Sequence, residues 1–144
     1  MTHHDIRLLR IRLGLSVAEA AQLCGVQERT WRRWETDTRW RPGAGQIEPA
    51  LLLLARQEKA VSEALLLFEE LSATHGRPGA LELAWSPLDE MAQRRGWPTA
   101  SAWLATSRRI ADALPDGVTV KIVDCGGPDA QPYFEVRRQG GEDA

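Results

Sequence analysis

In the first 36 residues, the apolar and polar positions have the spacing of short amphipathic helices. Apolar residues recur every three or four positions and leave arginines on the opposite side. Ser16 with Glu19 three residues later is the pattern of a capping box, which marks a helix start. Gly25 interrupts the pattern, as expected of a tight turn between two helices. The predicted helices are Ile6–Leu13, Val17–Cys24 and Glu28–Thr36.

A longer apolar pattern follows from Ala50 to about Ala73 and predicts one long helix, with Pro49 in its first turn. Its leucines are spread too widely to form a single stripe. A helix that is apolar on more than one side needs partners on more than one side. We therefore expect this helix to pack both on its own domain and on a second protomer. The segment from His75 to Gly79 breaks the pattern and predicts a module boundary.

The remaining sequence predicts a small α+β unit. Leu81–Trp85 is typical of a short strand, and a helix is expected to begin near Ser86 and end near Gly96. A second helix over Thr99–Leu114 precedes a turn at Pro115-Asp116-Gly117. Two alternating segments then predict a hairpin around a loop. These strands are Val118–Val123 and Tyr133–Val136.

Charge distribution is more informative than the overall composition. The 144 residues carry a net charge of −2, with 43% hydrophobic and 26% charged residues, which is typical of a folded protein. Residues 1–45 contain eight arginines and five acidic residues, a net charge of +3. Residues 46–144 carry ten basic and fifteen acidic residues, a net charge of −5. The positive charge therefore coincides with the short helices, where attraction to phosphate depends on the local field.

Several other classes of protein are disfavoured. No apolar run approaches the roughly 20 residues of a membrane span, and the N-terminus lacks a signal-peptide core. Cys24 and Cys125 are far apart, which favours a reducing, cytoplasmic location over a disulfide framework. We interpret His3 and His4 as part of a loose N-terminal end, and we expect neither a metal nor a cofactor. The absence of a nucleotide-binding glycine loop, an HExxH motif and a Ser-His-Asp set argues against an enzyme.

The segment from Ile6 to Pro42 resembles the Xre/Cro-like helix-turn-helix repressors. The resemblance rests on an arginine-containing first helix followed by the sequences LGLS, AxxAQLCGV, TWRRWE and RP. The hexad TWRRWE is also similar to the SWxxWE motif of the anti-CRISPR-associated (Aca) autorepressors and their YdiL-like relatives. The resemblance implies a mainly α fold with an N-terminal helix-turn-helix bundle, a long connecting helix and a small C-terminal α+β dimerisation unit. The corresponding domains are residues 1–74 and 79–138, with a disordered tail at 139–144.

The helix-turn-helix interpretation assigns roles to individual side chains. Long polar residues near the start of the second helix of the motif can reach base edges in a major groove. The resemblance also implies that Trp34 is a buried anchor and that Glu35 ties its helix to the first helix, with Arg10 as the partner. We interpret Trp31 as a second core residue. The predicted base-contacting residues are Gln27, Glu28, Arg29, Arg32 and Arg33, and the predicted phosphate-contacting residues are Ser16, Val17, Thr30, Arg39 and Arg41.

These observations predict a dimeric transcriptional repressor that binds an inverted repeat in double-stranded DNA. The Aca resemblance further implies autoregulation beside an anti-CRISPR or other mobile-element gene, and RNA binding through the same surface. Two alternatives remain open at this stage. One is an antitoxin-type regulator that binds a toxin and represses its operon. The other is a protein whose helix-turn-helix serves only as an interaction module.

Overall fold

The computed structural model describes residues 1–124 and a short strand at residues 137–138. The fold is mainly helical, with one small sheet. In chain order, the elements are α1 (His3–Leu13), α2 (Val17–Leu23), α3 (Glu28–Thr36), α4 (Ala44–His75), β1 (Ala80–Trp85), α5 (Asp89–Arg94), α6 (Ala100–Ala113), β2 (Thr119–Asp124) and β3 (Arg137–Arg138). None of the helices in the described part of the chain is long and apolar enough to cross a membrane.

The chain divides into two compact units, Met1–Lys59 and Ala60–Ala144. The division falls within α4, so that this helix contributes residues to both units. The break predicted after His75 coincides with the end of α4, where Gly76 adopts a left-handed conformation with φ of 79°. The predicted tail at 139–144 lies outside the described residues.

The first unit buries the apolar faces that the helical spacing predicts. Ile6, Leu9 and Leu13 of α1 are buried, which confirms the predicted inward face of this helix. Small residues on α2 and two tryptophans on α3 complete the contacts among the short helices, and the first turns of α4 close the core. The other buried hydrophobic residues of this unit are Leu15, Ala20, Ala21, Trp31, Trp34, Ile47, Ala50 and Leu53.

Capping boxes set the start of the first two helices. Ser16 Oγ accepts a hydrogen bond from the Glu19 amide at 3.1 Å, and the Ser16 amide donates to Glu19 Oε1 at 3.0 Å, as predicted. A second capping box, between Thr2 and Asp5, was not predicted. It starts α1 at His3 instead of Ile6, so the interpretation of the two histidines as a loose end is wrong.

Helix α4 begins earlier than predicted, at Ala44. Its first turn is organised by Gly43, whose amide donates to Gln46 Oε1 at 2.8 Å and whose carbonyl accepts from the Gln46 and Ile47 amides. Pro49 therefore lies inside the helix and not in its first turn, which corrects that prediction. Proline has no amide hydrogen, so α4 lacks one backbone hydrogen bond at this position.

The second unit packs helices on a sheet with the strand order β2-β1-β3. β1 pairs in parallel with β2 from Ala80 opposite Thr119 to Trp85 opposite Asp124, and it pairs antiparallel with β3. The parallel pairing of β2 with β1 was not predicted, and the predicted hairpin between Val118–Val123 and Tyr133–Val136 involves residues outside those described. A parallel pair needs a crossover connection, and α5 and α6 form it. Tyr133–Val136 lies outside the described residues. The core of this unit contains Ala64, Phe68, Leu81, Leu83, Ile110 and Leu114.

Candidate nucleic-acid interface

A tight turn connects α2 to α3. Gly25 has φ of 66°, in the left-handed region that favours glycine. The Gly25 amide donates to the Gln22 carbonyl at 3.2 Å, and the Val26 amide donates to the Ala21 carbonyl at 3.0 Å. These two bonds form a Schellman motif, which satisfies carbonyls at the end of α2. The chain then enters α3 through Gln27, so the turn determines the direction in which α3 leaves α2.

The inner face of α3 is anchored by two tryptophans. Trp31 and Trp34 are buried, and their ring centroids lie 5.4 Å apart at an interplanar angle of 58°. This arrangement confirms the interpretation of both residues as core. The indole Nε1 of Trp31 is buried without a hydrogen-bond partner in the described part of the chain, so its ring contributes to stability through packing alone.

An ion pair joins α3 to α1. Arg10 Nε donates to Glu35 Oε1 at 2.8 Å, and the predicted pairing is therefore confirmed. The side chains retain 17% and 7% of their exposure, respectively, so water screens this pair much less than a surface pair. Arg10 Nη1 also donates to the Leu15 carbonyl at 3.1 Å, which extends the contact to the loop before α2.

The three arginines of the outer face of α3 have different environments. Arg32 Nη2 lies 3.4 Å from Glu28 Oε2, one helical turn earlier, and both side chains are exposed. The guanidinium carbon of Arg33 lies 5.0 Å from the centroid of the Trp40 ring. Arg29 is exposed, and no ion pair or ring contact of its side chain is found within residues 1–124. Arg29 and Arg33 are one turn apart, so they share a face of α3.

The loop after α3 is organised by Asp37. The Trp40 amide donates to the Asp37 carbonyl at 3.0 Å, which closes a turn, and the Arg39 amide donates to Asp37 Oδ1 at 3.0 Å. Arg39 also contacts both carboxylate oxygens of Asp37, through Nε at 3.1 Å and Nη2 at 3.0 Å. Hydrogen bonds from the Arg39 side chain, then from its amide, lower the pKa of Asp37, and the carboxylate raises the pKa of Arg39.

The other predicted contact residues lie around α3 and at the start of α2. Gln27 is the exposed N-cap of α3, and Thr30 is half-buried on the same helix. Val17 is the half-buried first residue of α2, while Arg41 is exposed beyond the Asp37 turn. Ser16 holds the start of α2 through its capping box, and Arg39 is already paired with Asp37. These two residues therefore have established intramolecular roles, and a phosphate contact by either remains a prediction.

The spacing of hydrophobic residues predicts no role for Trp40. Its ring contacts Arg33 only because the chain reverses after Thr36, and the hydrogen bonds of Asp37 that produce this turn are not evident from hydrophobic spacing. The sequence does contain one indication of a role, because Trp40 lies between Arg39 and Arg41 in a polar loop. A tryptophan in such a loop is a candidate partner for a cation.

The cysteine of this unit is not activated. Cys24 follows α2 and is half-buried and free. Burial raises the pKa of its thiol, and a backbone hydrogen bond from Ala50 opposes this effect in part. The thiol is therefore protonated at neutral pH, and its reactivity is low. Cys125 lies outside the described residues.

The first unit combines this surface with a positive charge. Residues 1–59 contain ten basic and seven acidic residues, a net charge of +3. Comparison with known proteins adds no assignment, since no family model matches the chain and no curated protein matches it.

Proposed function

We propose that the protein is a sequence-specific, double-stranded-DNA-binding transcriptional repressor in which α2 and α3 act as a helix-turn-helix. The observation that carries this proposal is the division of α3 into two faces. Trp31, Trp34 and the Glu35 ion pair hold the inner face. On the other face, Arg29 and Arg32 are exposed and Arg33 is half-buried. A rigid helix with several outward arginines has the shape and the donors for reading a major groove.

Arg29 and Arg33 are the principal base readers in this proposal. A guanidinium group can donate two parallel hydrogen bonds to O6 and N7 of guanine, and each such pair contributes about 1–3 kcal/mol of discrimination. Arg29 can turn toward a base without breaking an ion pair in the described part of the chain. Arg32 can exchange Glu28 for DNA at little cost, because exposed ion pairs of this kind contribute about 0.3–0.5 kcal/mol.

In this proposal, the protein binds an inverted repeat as a dimer. A two-fold axis would place the half-site centres about 34 Å apart, or at a multiple of that distance. Exposed leucines on α4 support a second protomer as the partner. Leu51 and Leu52 belong to the first unit, and Leu66 and Leu67 belong to the second. Occupation of the repeat in its own promoter would block transcription, and this autoregulatory role rests on the Aca resemblance.

Selection of genomic fragments by the purified protein tests the proposal. Wild type is compared with Arg29→Ala/Arg33→Ala at matched salt. The control is Arg94→Ala/Arg108→Ala, which removes the same charge from exposed positions of the second unit. We expect wild type and the control to recover one inverted repeat, and the α3 variant to lose it. Recovery of no sequence by wild type, or of the same repeat by the α3 variant, would contradict the proposal.

A further inference from the structure

Trp40 differs from the other tryptophans of the first unit in its exposure. Trp31 and Trp34 are buried in the core, whereas Trp40 keeps 48% of its surface exposed. The described contact of its ring is with the guanidinium group of Arg33, at 5.0 Å from the ring centroid. An exposed tryptophan contributes little to the core, so the role of the Trp40 side chain lies in this contact or in binding a ligand.

The position of Trp40 is built into the loop and does not depend on the ring contact itself. The Trp40 amide is held by the Asp37 carbonyl, and the Asp37 carboxylate is held by three hydrogen bonds from Arg39. These four bonds restrain the chain between Asp37 and Trp40. The loop therefore presents the indole to Arg33 before any ligand binds.

Stacking on an indole affects an arginine in a specific way. The guanidinium plane is attracted to the face of the ring, while its N–H donors lie in the plane and remain available at the edge. A long side chain loses rotamer freedom when it binds, and a side chain that is already restrained loses less. Arg33 is thus preorganised, in contrast to Arg29, which no such contact restrains within residues 1–124.

We propose that Trp40 is a positioning residue for DNA readout, which orients the Arg33 guanidinium so that its edge meets a guanine. This inference rests on the proposed DNA binding and adds a prediction about its specificity. Each half-site contains a guanine read by Arg33, and the preference for this guanine depends on Trp40. Exposed cation–π contacts of this strength correspond to a change in affinity of about 2–5-fold.

The test uses the full-length protein and a pool of duplex DNA with a randomised core of roughly 20 base pairs, long enough for two half-sites. Wild type is compared with Arg29→Ala, Arg33→Ala, Trp40→Leu, Trp40→Phe and Trp40→Leu/Arg33→Ala. We expect Arg33→Ala to remove the preference at one guanine. Trp40→Leu should weaken the preference at that same position by about 2–5-fold and leave the Arg29-dependent position unchanged.

The remaining variants separate positioning from other roles. Trp40→Phe keeps an aromatic face and should restore most of the preference, and the double variant should be no worse than Arg33→Ala. The inference is overturned if Trp40→Leu weakens all positions equally, if Trp40→Phe behaves as Trp40→Leu, or if the effects of Trp40→Leu and Arg33→Ala add. Failure of wild type to enrich any motif would overturn the proposed function and, with it, this inference. The Tm of Trp40→Leu should be lowered by no more than roughly 2–5 °C, because about half of the ring is already exposed.

Discussion

Removal of the Glu35 carboxylate should destabilise the first unit more than removal of any exposed acidic group. In Glu35→Ala, Arg10 keeps its hydrogen bond to the Leu15 carbonyl but loses its counter-ion in a mostly buried position. Breaking a fully buried ion pair by truncating one partner costs about 3–5 kcal/mol, and exposed pairs contribute up to about 1 kcal/mol. With side-chain exposures of 17% and 7%, we expect a loss of about 2–3 kcal/mol.

Chemical and thermal denaturation can measure this loss. A destabilisation of this size corresponds to a decrease in Tm of roughly 6–12 °C for a chain of this length. The matched control is Glu58→Ala, because Glu58 pairs with Arg12 at 3.3 Å and both side chains are more than half exposed. The control should lose no more than about 1 kcal/mol.

A double variant distinguishes the loss of an attractive pair from the burial of an unpaired charge. Arg10→Met/Glu35→Leu removes both charges and should be within about 1–2 kcal/mol of wild type, even though the Leu15 carbonyl loses its donor. A loss below about 1 kcal/mol for Glu35→Ala would contradict the expected cost of a buried, unpaired Arg10. A double variant that is less stable than both Arg10→Met and Glu35→Leu would contradict it as well.

Three further predictions concern the turns and caps of the first unit. Gly25→Ala should lower the free energy of unfolding by about 1–2 kcal/mol in urea denaturation, because a residue with a Cβ is strained in the left-handed conformation. The added Cβ itself would meet no other described part of the structure within 4 Å, so the loss comes from the backbone. An unchanged midpoint would contradict this prediction. Ser16→Ala should cost about 1 kcal/mol in the same assay, and Ser16→Thr should keep most of the stability. The pKa of the Asp37 carboxylate is lowered in the folded protein. Its stabilising effect is therefore complete at pH values above the usual pKa of Asp, and it is lost as the pH falls through the lowered pKa. The emission of Trp40, taken as wild type minus Trp40→Phe, should therefore change in an acid titration, and the change should be absent in Asp37→Asn.

The features that could be predicted from the sequence are those set by residues close together in the chain. The bounds of α3 were predicted correctly because an amphipathic pattern occupies the whole helix from Glu28 to Thr36. The Ser16 cap was also predicted, because a capping box depends on two residues at a fixed spacing. The Arg10 pairing of Glu35 spans 25 positions, and it could be predicted only from the resemblance to a known family.

The missed features depend mainly on interactions between distant parts of the chain. The parallel pairing of β2 with β1 across α5 and α6 was missed, because spacing along the chain favours strands that are neighbours in sequence. The order strand, helix, helix, strand is that of a crossover, which could have indicated a parallel pair. Pro49 was predicted to lie in the first turn of its helix because proline is common at that position. The hydrogen bonds of Gly43 instead start α4 earlier in the chain. The Trp40 contact with Arg33 depends on a turn that hydrophobic spacing does not reveal.

A guanine N7 protection experiment on the DNA that wild type selects tests whether α3 reads the major groove. Guanine N7 lies in the major groove, where α3 is proposed to bind. We predict that wild type protects a guanine in each half-site, that Arg33→Ala loses protection at that position, and that Arg94→Ala/Arg108→Ala protects as wild type does. Protection that is absent in wild type, or unchanged in Arg29→Ala/Arg33→Ala, would contradict the proposed role of α3 in reading DNA.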